Sequence, residues 1–359
     1  MIDVLVTGGG FAARSCALHL KRLAPDARVL RLEPTRAPLG EPPLPGVAFA
    51  APGPDHVAAH EDRGDERFLA EVRLAALALD AMQQEAAAAE AGFRRVVVAR
   101  DLVPSLDERR REHDALAMRF EVAPDAVFDS ERMLAGLDAA GRAAGVDVVN
   151  AGEAGAETGD DAGDEFTLDT TGERAVASIG TRRVEAERVV LAHGAALTRF
   201  DRWVGGVTVP ARVQALRATV DGAAPDARSV GPGFAVCSVD GVGRLAVAEG
   251  IEPQNLGDPF DPGPHDATQR RLEQWLTDVV VPGRPVTVEA RGATARLFSC
   301  DGLPLVGPHP LRATCLLAAA FGGRDAALGY LAGRVVAEII VSGRAQTLGA
   351  SLWSPRRML

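Results

Sequence analysis

A glycine-rich turn close to residue 10 constrains the fold of this chain more than any other feature. The apolar run at residues 2–6 ends in Gly8-Gly9-Gly10, and residues 11–23 then repeat apolar side chains at a helical spacing. A second apolar run at residues 29–32 ends at Glu33. This order of strand, tight turn, helix and strand predicts the first unit of a doubly wound α/β domain.

The turn itself has the spacing of a dinucleotide-binding fingerprint, Gly8-x-Gly10-x-x-Ala13. Gly8 permits the tight turn, Gly10 lets a pyrophosphate approach the backbone, and Ala13 is small enough for close helix–strand packing. Phe11 opens the helix, whose first N–H groups would face the phosphates. Glu33 stands where an acid binds ribose hydroxyls, and its charge favours FAD or NAD(H) over NADP(H). A strand–turn–helix without a ligand is the alternative interpretation.

Composition excludes several other classes of protein. The formal net charge is −10 and Lys21 is the only lysine, whereas a nucleic-acid binder is expected to be basic. No apolar run approaches the ~18 residues of a membrane-spanning helix, and no secretory signal precedes the first strand. The cysteines form no CxxC pair and the histidines have no paired-ligand spacing, so no metal site is expected. We therefore expect a cytoplasmic protein that binds neither membranes nor nucleic acid.

The remaining pattern predicts an α/β fold in which a second domain interrupts a Rossmann-like domain. Helices, a strand–helix–strand, a hairpin, an antiparallel block and a final strand and helix follow the first unit. The Rossmann-like domain is expected at residues 1–54, 131–204 and 298–359. The inserted domain, on a mixed and largely antiparallel sheet, is expected at residues 55–130 and 205–297.

Three segments together resemble the D-amino-acid-oxidase-like family of FAD-dependent oxidoreductases, which includes glycine and sarcosine oxidases. They are the fingerprint segment Val4–Glu33, the strand that ends in Ala192-His193-Gly194, and the stretch 296–324. The third is the most specific, because an arginine stands five residues before Asp301-Gly302-x-Pro-x-x-Gly-Pro and a glycine-rich helix start follows. The resemblance extends over nearly the whole chain.

The resemblance implies an FAD-binding domain, an inserted substrate domain and non-covalent FAD. The residues expected to hold the ADP half of FAD are Gly8, Gly10, Phe11, Ala13 and Glu33, with Val149 near the adenine. The residues expected beside the flavin are Gly194, Gly307, Gly322, Gly323 and Arg324. Non-covalent binding is expected because Cys300 does not align with the cysteine that links flavin in sarcosine oxidases. We expect Cys300 and Cys315 to be small core residues.

The resemblance also implies two substrate contacts. Arg296 resembles the arginine that binds the substrate carboxylate in glycine-oxidase-like members, and it is expected to project from the substrate domain; a structural salt bridge is the alternative. Phe234 stands where relatives often place a substrate-facing tyrosine, with ordinary core packing as the alternative. The position of His309 between two prolines favours a surface turn over a place near the cofactor.

Two departures from the family bear on function. Four prolines at positions 38, 42, 43 and 45 replace the stretch that normally contacts pyrophosphate and flavin, and Asp325 stands where relatives usually have glycine beside the flavin. The only lysine lies in the first helix, so the lysine that sarcosine oxidases use with oxygen has no counterpart.

The function implied is that of an FAD-dependent amine or amino-acid oxidase or dehydrogenase. It would oxidise a C–N bond of a small molecule by hydride transfer to flavin N5, giving an imine, with oxygen or another electron acceptor. A flavin-binding member with a non-catalytic or partner role is the first alternative. A tRNA-modifying flavoenzyme is the second, and the acidic charge counts against it.

Overall fold

The computed structural model describes most of the chain. The described residues are 2–33, 47–48, 65–97, 99–101, 124–150, 166–170, 172–179, 182–222, 227–230, 234–238, 244–249 and 263–359. The proline-rich stretch at 38–46 lies outside them. Contacts divide the chain into two compact units, the first formed by Met1–Glu41, Leu134–Pro210 and Arg296–Leu359, and the second by Pro42–Met133 and Ala211–Ala295.

The strands and helices of the described residues are numbered here in chain order. The strands are β1 (Ile2–Thr7), β2 (Val29–Glu33), β3 (Val47–Ala48), β4 (Arg94–Val97), β5 (Ala99–Asp101), β6 (Pro124–Val127), β7 (Asp147–Asn150), β8 (Phe166–Asp169), β9 (Ala175–Ile179), β10 (Arg182–Leu191), β11 (Thr208–Val220), β12 (Ala227–Val230), β13 (Phe234–Ser238), β14 (Arg244–Glu249), β15 (Val286–Ser299), β16 (Leu305–Pro308) and β17 (Cys315–Ala319). The helices are α1 (Phe11–Leu23), α2 (Asp65–Ala88), α3 (Ser130–Ala143), α4 (Leu197–Phe200), α5 (Arg202–Val207), α6 (Asp266–Trp275) and α7 (Ala327–Ser342).

A mixed sheet with the strand order β16-β17-β10-β1-β2-β7 forms the centre of the first unit. The neighbours from β17 to β7 are parallel, while β16 pairs antiparallel with β17 and the β8–β9 hairpin continues antiparallel from β10. Val4, Leu5 and Val6 of β1 and all the residues of β17 are buried, as expected for strands covered on both faces. The α/β fold class expected from the sequence is thereby confirmed.

Helices α1 and α7 pack together unusually closely in this unit. A Cβ built on Gly333 would stand 2.5 Å from the backbone nitrogen of Cys16 and 2.6 Å from the carbonyl oxygen of Ala12. A Cβ built on Gly329 would stand 3.4 Å from the backbone nitrogen of Ala12. The two glycines, one turn apart, therefore let α7 lie directly on the backbone of α1.

The second unit contains a sheet with the order β15-β11-β14-β13-β12-β5. Its described pairs are antiparallel between β11, β14, β13 and β12, and parallel between β12 and β5. Helix α6 packs Leu272 and Trp275 into a buried cluster with Leu216 and Val220 of β11. A separate three-stranded sheet has the order β3-β6-β4.

Two of the contact boundaries between the units fall inside strands. One lies within β11, between Pro210 and Ala211, and another within β15, between Ala295 and Arg296, while a third divides α3 between Met133 and Leu134. Contacts group Arg296 with the first unit, whereas the sequence-based boundary at 297/298 assigns it to the inserted domain. The two boundaries differ by two residues because β15 runs for 14 residues through this region, so no turn residue marks a boundary. Among the residues described, no helix is both long and apolar enough to cross a membrane.

Candidate functional site

Gly8 lies at the point where three parallel strands end. Its φ is +125°, and a Cβ there would overlap the carbonyl group of Ala192, which follows β10. The Gly8 N–H donates to Leu32 at the end of β2 (2.9 Å), and the Ala192 N–H donates to Thr7 (3.0 Å). Only glycine fits this position, because both the backbone conformation and the close approach of Ala192 exclude a side chain.

The amino terminus of α1 follows directly and is open to an anion. Gly10 is the N-cap residue, no side chain caps the helix, and no acidic residue stands in its first turn. The first bond of the helix runs from the Arg14 N–H to the Gly10 carbonyl (3.1 Å), so the preceding N–H groups have no acceptor within the helix. Phe11 and Ala13 are buried beneath this end. A helix end of this kind binds phosphate.

A second helix terminus lies beside the first. Gly329, in the first turn of α7, packs against Ala12 and Phe11, and no side chain caps α7. Gly322 and Gly323 precede α7 with φ values of +61° and +85°. The N-termini of α1 and α7 therefore meet at the carboxyl edge of the parallel strands, which is where open α/β sheets bind ligands.

Open backbone surrounds this edge. Gly194, which follows β10 at φ +58°, and Gly323 both have no atom within 4 Å of a Cβ built on them. Val149 lies in β7 beside Leu32 of β2. Arg324 is buried, and its N–H donates to the Phe321 carbonyl at 3.1 Å, closing the turn before α7. Glycine turns, uncapped helix termini and free space together fit a dinucleotide cofactor such as FAD.

Gly307 lies in β16, back from the last residue pair at this edge. Its φ is +123°, and a Cβ there would contact Ile339, well along α7, and Pro355. In the pairing of β16 with β17, Leu305 lies opposite Ala319 at the end of β17, and Gly307 lies two residue pairs further back. Backbone conformation and packing account for the glycine, and its expected place beside the flavin stays a prediction.

Glu33 lies at the end of β2, as expected, but within a cluster of four charges that sequence reasoning missed. Its Oε1 atom is 3.1 Å from a guanidinium nitrogen of Arg14 and 2.9 Å from one of Arg31. Asp138 of α3 accepts a hydrogen bond from Arg14 Nε (2.9 Å) and also pairs with Arg31. Arg14 donates in addition to the Gly9 carbonyl, so the cluster is tied to the glycine turn.

The electrostatics of this cluster follow from its burial. Arg31 is only 1% exposed, and burial lowers the pKa of its guanidinium while Glu33 and Asp138 oppose that shift. Burial alone would raise the pKa of Asp138, but Arg31 and Arg14 hold it below its ordinary value. Two arginines and two acids balance, so the Glu33 carboxylate is fixed in place before any ligand binds. The missed signal was an arginine inside an apolar strand run.

Arg296 forms an ion pair with Asp325 at the start of α7. Arg296 Nη1 is 2.5 Å from Asp325 Oδ2, and the side chains are 12% and 28% exposed. The Gly322 N–H donates to the Leu297 carbonyl (3.2 Å), which fixes β15 against the glycine turn. The arginine expected to bind a substrate carboxylate is thus in contact with the acid that replaces the family's glycine.

Phe234 lies at the start of β13 in the second unit. Its backbone is paired with Val230 of β12 and Glu249 of β14. Its role remains a prediction.

Buried polar groups near β10 and β16 differ from the sequence-based expectations. His309 is buried, not in a surface turn, and its Nε2 atom is 3.2 Å from Asp201 Oδ2. Asp201 also caps α5 by accepting from the Val204 N–H at 3.0 Å, so the pair is a structural tie. Burial lowers the pKa of His193, which follows β10, to about 4.

Two of the cysteines expected in the core lie in different environments. Cys315 is buried as expected, but Cys300 is exposed in the turn after β15, because β15 leaves the core at that point. Within the described part of the chain, no group of three histidine, cysteine or acidic residues is arranged to hold a metal ion.

Comparison with known proteins identifies the family. The model of the DAO family, FAD dependent oxidoreductase, matches residues 45–339. A search of curated proteins finds no match. Similar solved structures include iminodiacetate oxidase from Chelativorans sp. BNC1 (TM-score 0.71, 19% identity, 98% of this chain and 99% of that chain) and glycine oxidase from Geobacillus kaustophilus (0.69, 17%, 98% and 97%). L-proline dehydrogenase from P. horikoshii is also similar (0.70, 14%, 99% and 97%). The chain belongs to the DAO family of FAD-dependent oxidoreductases.

Proposed function

We propose that this protein oxidises a C–N bond of a small amine or amino acid and delivers the electrons to oxygen or another acceptor. The observation that carries the proposal is the meeting of two uncapped helix N-termini and three glycine turns at one edge of the parallel sheet. The names of the solved relatives, which refer to iminodiacetate, glycine and L-proline, support a substrate that contains a nitrogen bonded to carbon.

In this proposal the first unit binds FAD without a covalent bond. Gly8, Gly10 and the N-terminus of α1 receive the pyrophosphate, and Glu33 accepts hydrogen bonds from ribose hydroxyls. Val149 lies near the adenine, and Gly194 and Gly323 leave room for the cofactor. Bound FAD supplies the hydride acceptor.

The start of α7 acts on the flavin end of the site. Its positive dipole end, preceded by Gly322 and Arg324, stabilises negative charge that develops beside it. The role of Phe234 as a contact of the substrate stays a prediction.

The position of the only lysine bears on the choice of electron acceptor. Lys21 lies in the last turn of α1, and its Nζ donates to the Ala27 carbonyl at 2.9 Å. It is therefore at the opposite end of α1 from the glycine turn, and no lysine is available beside the flavin to promote reaction with oxygen. The proposal therefore includes a dehydrogenase with another electron acceptor as well as an oxidase.

Two measurements test the proposal. The purified protein should carry one FAD, and acid precipitation should leave the yellow colour in the supernatant; colour in the pellet would mean a covalent bond. Under anaerobic conditions, at least one member of a panel of amines and amino acids should bleach the flavin. If FAD binds but no member bleaches it, the second candidate stands, a flavin-binding protein without catalytic activity. Asp325 beside the site is the observation that favours that candidate.

A further inference from the structure

We propose that the ion pair with Asp325 prevents a substrate carboxylate from binding Arg296. The substrate is then an amine without a carboxylate next to the reacting C–N bond. The inference rests on the proposed function, since it names the class of substrate for the same site. Its evidence is the ion pair at the start of α7, which is independent of the evidence for FAD binding.

The pair is fixed by the backbone on both sides. The Asp325 carbonyl accepts the Gly329 N–H at 3.0 Å, which anchors Asp325 to the first turn of α7. Arg296 adjoins Leu297, whose carbonyl accepts the Gly322 N–H from the turn that leads into α7. These bonds fix the main chain on both sides of the pair, and the short side chain of Asp325 has little freedom to move away from Arg296.

The exposure of the two partners decides what the pair presents to a ligand. The Arg296 side chain is 12% exposed and the Asp325 side chain is 28% exposed. The more accessible member is thus the carboxylate, which accepts hydrogen bonds from N–H groups and attracts cations. A ligand with an ammonium or amine group suits this surface better than one with a carboxylate.

An incoming carboxylate would have to displace Asp325. It would gain one charge-assisted contact with Arg296 and remove an equivalent one, so the exchange brings no net advantage. The displaced Asp325 carboxylate would then lie beside the ligand's carboxylate, and like charges at that separation repel strongly in a partly buried site. Arg296 therefore cannot form the two parallel hydrogen bonds that an unpaired arginine makes with a carboxylate.

The alternative arrangement, in which both side chains bind one amino acid, is also tested by the experiments below. An amino acid could be held with its carboxylate on Arg296 and its ammonium on Asp325, but this requires the two side chains to stand apart. With Nη1 and Oδ2 separated by 2.5 Å, they contact each other instead.

The first experiment titrates the FAD-loaded protein with benzoate and follows the visible absorption of the flavin. The variants are Asp325→Asn, which removes the charge but keeps the shape, and Asp3→Asn. Asp3 pairs with Arg28 at the amino end of β1, so its variant makes the same change of net charge at the other edge of the sheet. We expect millimolar or weaker binding in the wild type, at least tenfold tighter binding in Asp325→Asn, and no change in Asp3→Asn.

The second experiment compares anaerobic flavin reduction by benzylamine and by phenylglycine, which differ by one carboxylate. The wild type should be reduced faster by benzylamine, and Asp325→Asn should shift the ratio at least tenfold toward phenylglycine. Micromolar binding of benzoate by the wild type, or faster reduction by phenylglycine, overturns the inference and supports the amino-acid arrangement. So does a benzoate affinity that Asp325→Asn leaves unchanged.

Failure of the proposed function gives a different result. If no amine reduces the flavin, the proposed function fails, while the benzoate titration still reports whether Asp325 closes Arg296. If Asp325→Asn does not fold, Asp325→Ser makes the same test, and the melting temperature in increasing benzoate replaces the absorption change.

Discussion

Replacing Gly333 with alanine tests the contact between α1 and α7, which brings the two helix termini of the candidate site together. A Cβ at this position would stand 2.5 Å from Cys16 N, 2.6 Å from Ala12 O and 2.7 Å from Ser15 Cβ. Two of these atoms belong to the backbone of α1, so no change of rotamer relieves the overlap. The helices have to move apart.

The size of the effect follows from two opposing contributions. Alanine is favoured over glycine inside a helix by about 0.5–1 kcal/mol. Overpacking a close-packed contact typically costs about 1–3 kcal/mol, and backbone atoms at these distances place Gly333→Ala at or beyond the upper end of that range. We therefore expect a net loss of about 2 kcal/mol, which lowers the melting temperature by roughly 4–8 °C for a unit of this size.

The matched control is Gly141→Ala in α3. A Cβ there would lie 3.7 Å from the nearest atom, Val146 Cγ2, which is an ordinary contact. This variant should be as stable as the wild type or more stable, by up to about 1 kcal/mol.

The assay is thermal unfolding followed by circular dichroism, together with FAD titration by fluorescence. Gly333→Ala should also bind FAD more weakly, because separation of α1 from α7 shifts the two helix termini relative to each other. A Gly333→Ala protein that melts within about 2 °C of the wild type and binds FAD equally well would refute the reasoning.

Three further changes probe the charges of the first unit. Glu33→Ala should lose about 1.5–3 kcal/mol of FAD binding by fluorescence titration, and an unchanged dissociation constant would mean that the acid is not at the ribose. Asp138→Asn leaves buried Arg31 with Glu33 as its remaining acid and should cost about 2–3 kcal/mol in urea unfolding. The control is Asp80→Asn, which removes the acid of the exposed ion pair between Asp80 of α2 and Arg95 of β4, and it should cost less than about 1 kcal/mol. The pKa of His193 is lowered to about 4 from 6.5, so the unfolded chain takes up a proton first as the pH falls. The part of the free energy of unfolding that depends on neutral His193 is fully present above pH 6.5. It decreases as the pH falls toward 4, and about 2 kcal/mol of it is lost by pH 5. His193→Asn should lose less stability than the wild type between pH 7.5 and 5, and equal losses would contradict the assignment.

The sequence predicts the parts of the site that are local in the chain. The strand, turn and helix around Gly8 lie within some 30 residues, and each residue type there has one dominant structural reason. At Gly8 a Cβ would overlap Ala192, and at Gly322 the φ is positive, so the structure requires glycine or strongly favours it at both positions. The family resemblance predicted the fold of the remaining segments. The mixed sheet of the first unit agrees with the expected α/β class.

The contacts that distinguish this chain could not be predicted in the same way. Arg31 and Asp138 lie on different elements and meet only through packing, so no spacing in the sequence joins them. Arg296 and Asp325 were each singled out, but their contact depends on how β15 meets the turn before α7. Gly329 and Gly333 did carry a readable signal, a pair of glycines one turn apart in a helix, which indicates close approach of another helix.

The pairing of the first and last segments of the chain has a consequence for synthesis on the ribosome. Helix α1 is complete at Leu23, but α7, which covers it, begins only at Ala327. At a translation rate of about 5–20 residues per second, roughly 15–60 s pass before the partner emerges. During that time the small apolar face of α1 and one edge of β1 remain uncovered, since β10 is also far downstream. The nascent chain therefore presents an early binding site for chaperones, and a ribosome stalled before codon 327 would hold a first unit that cannot close.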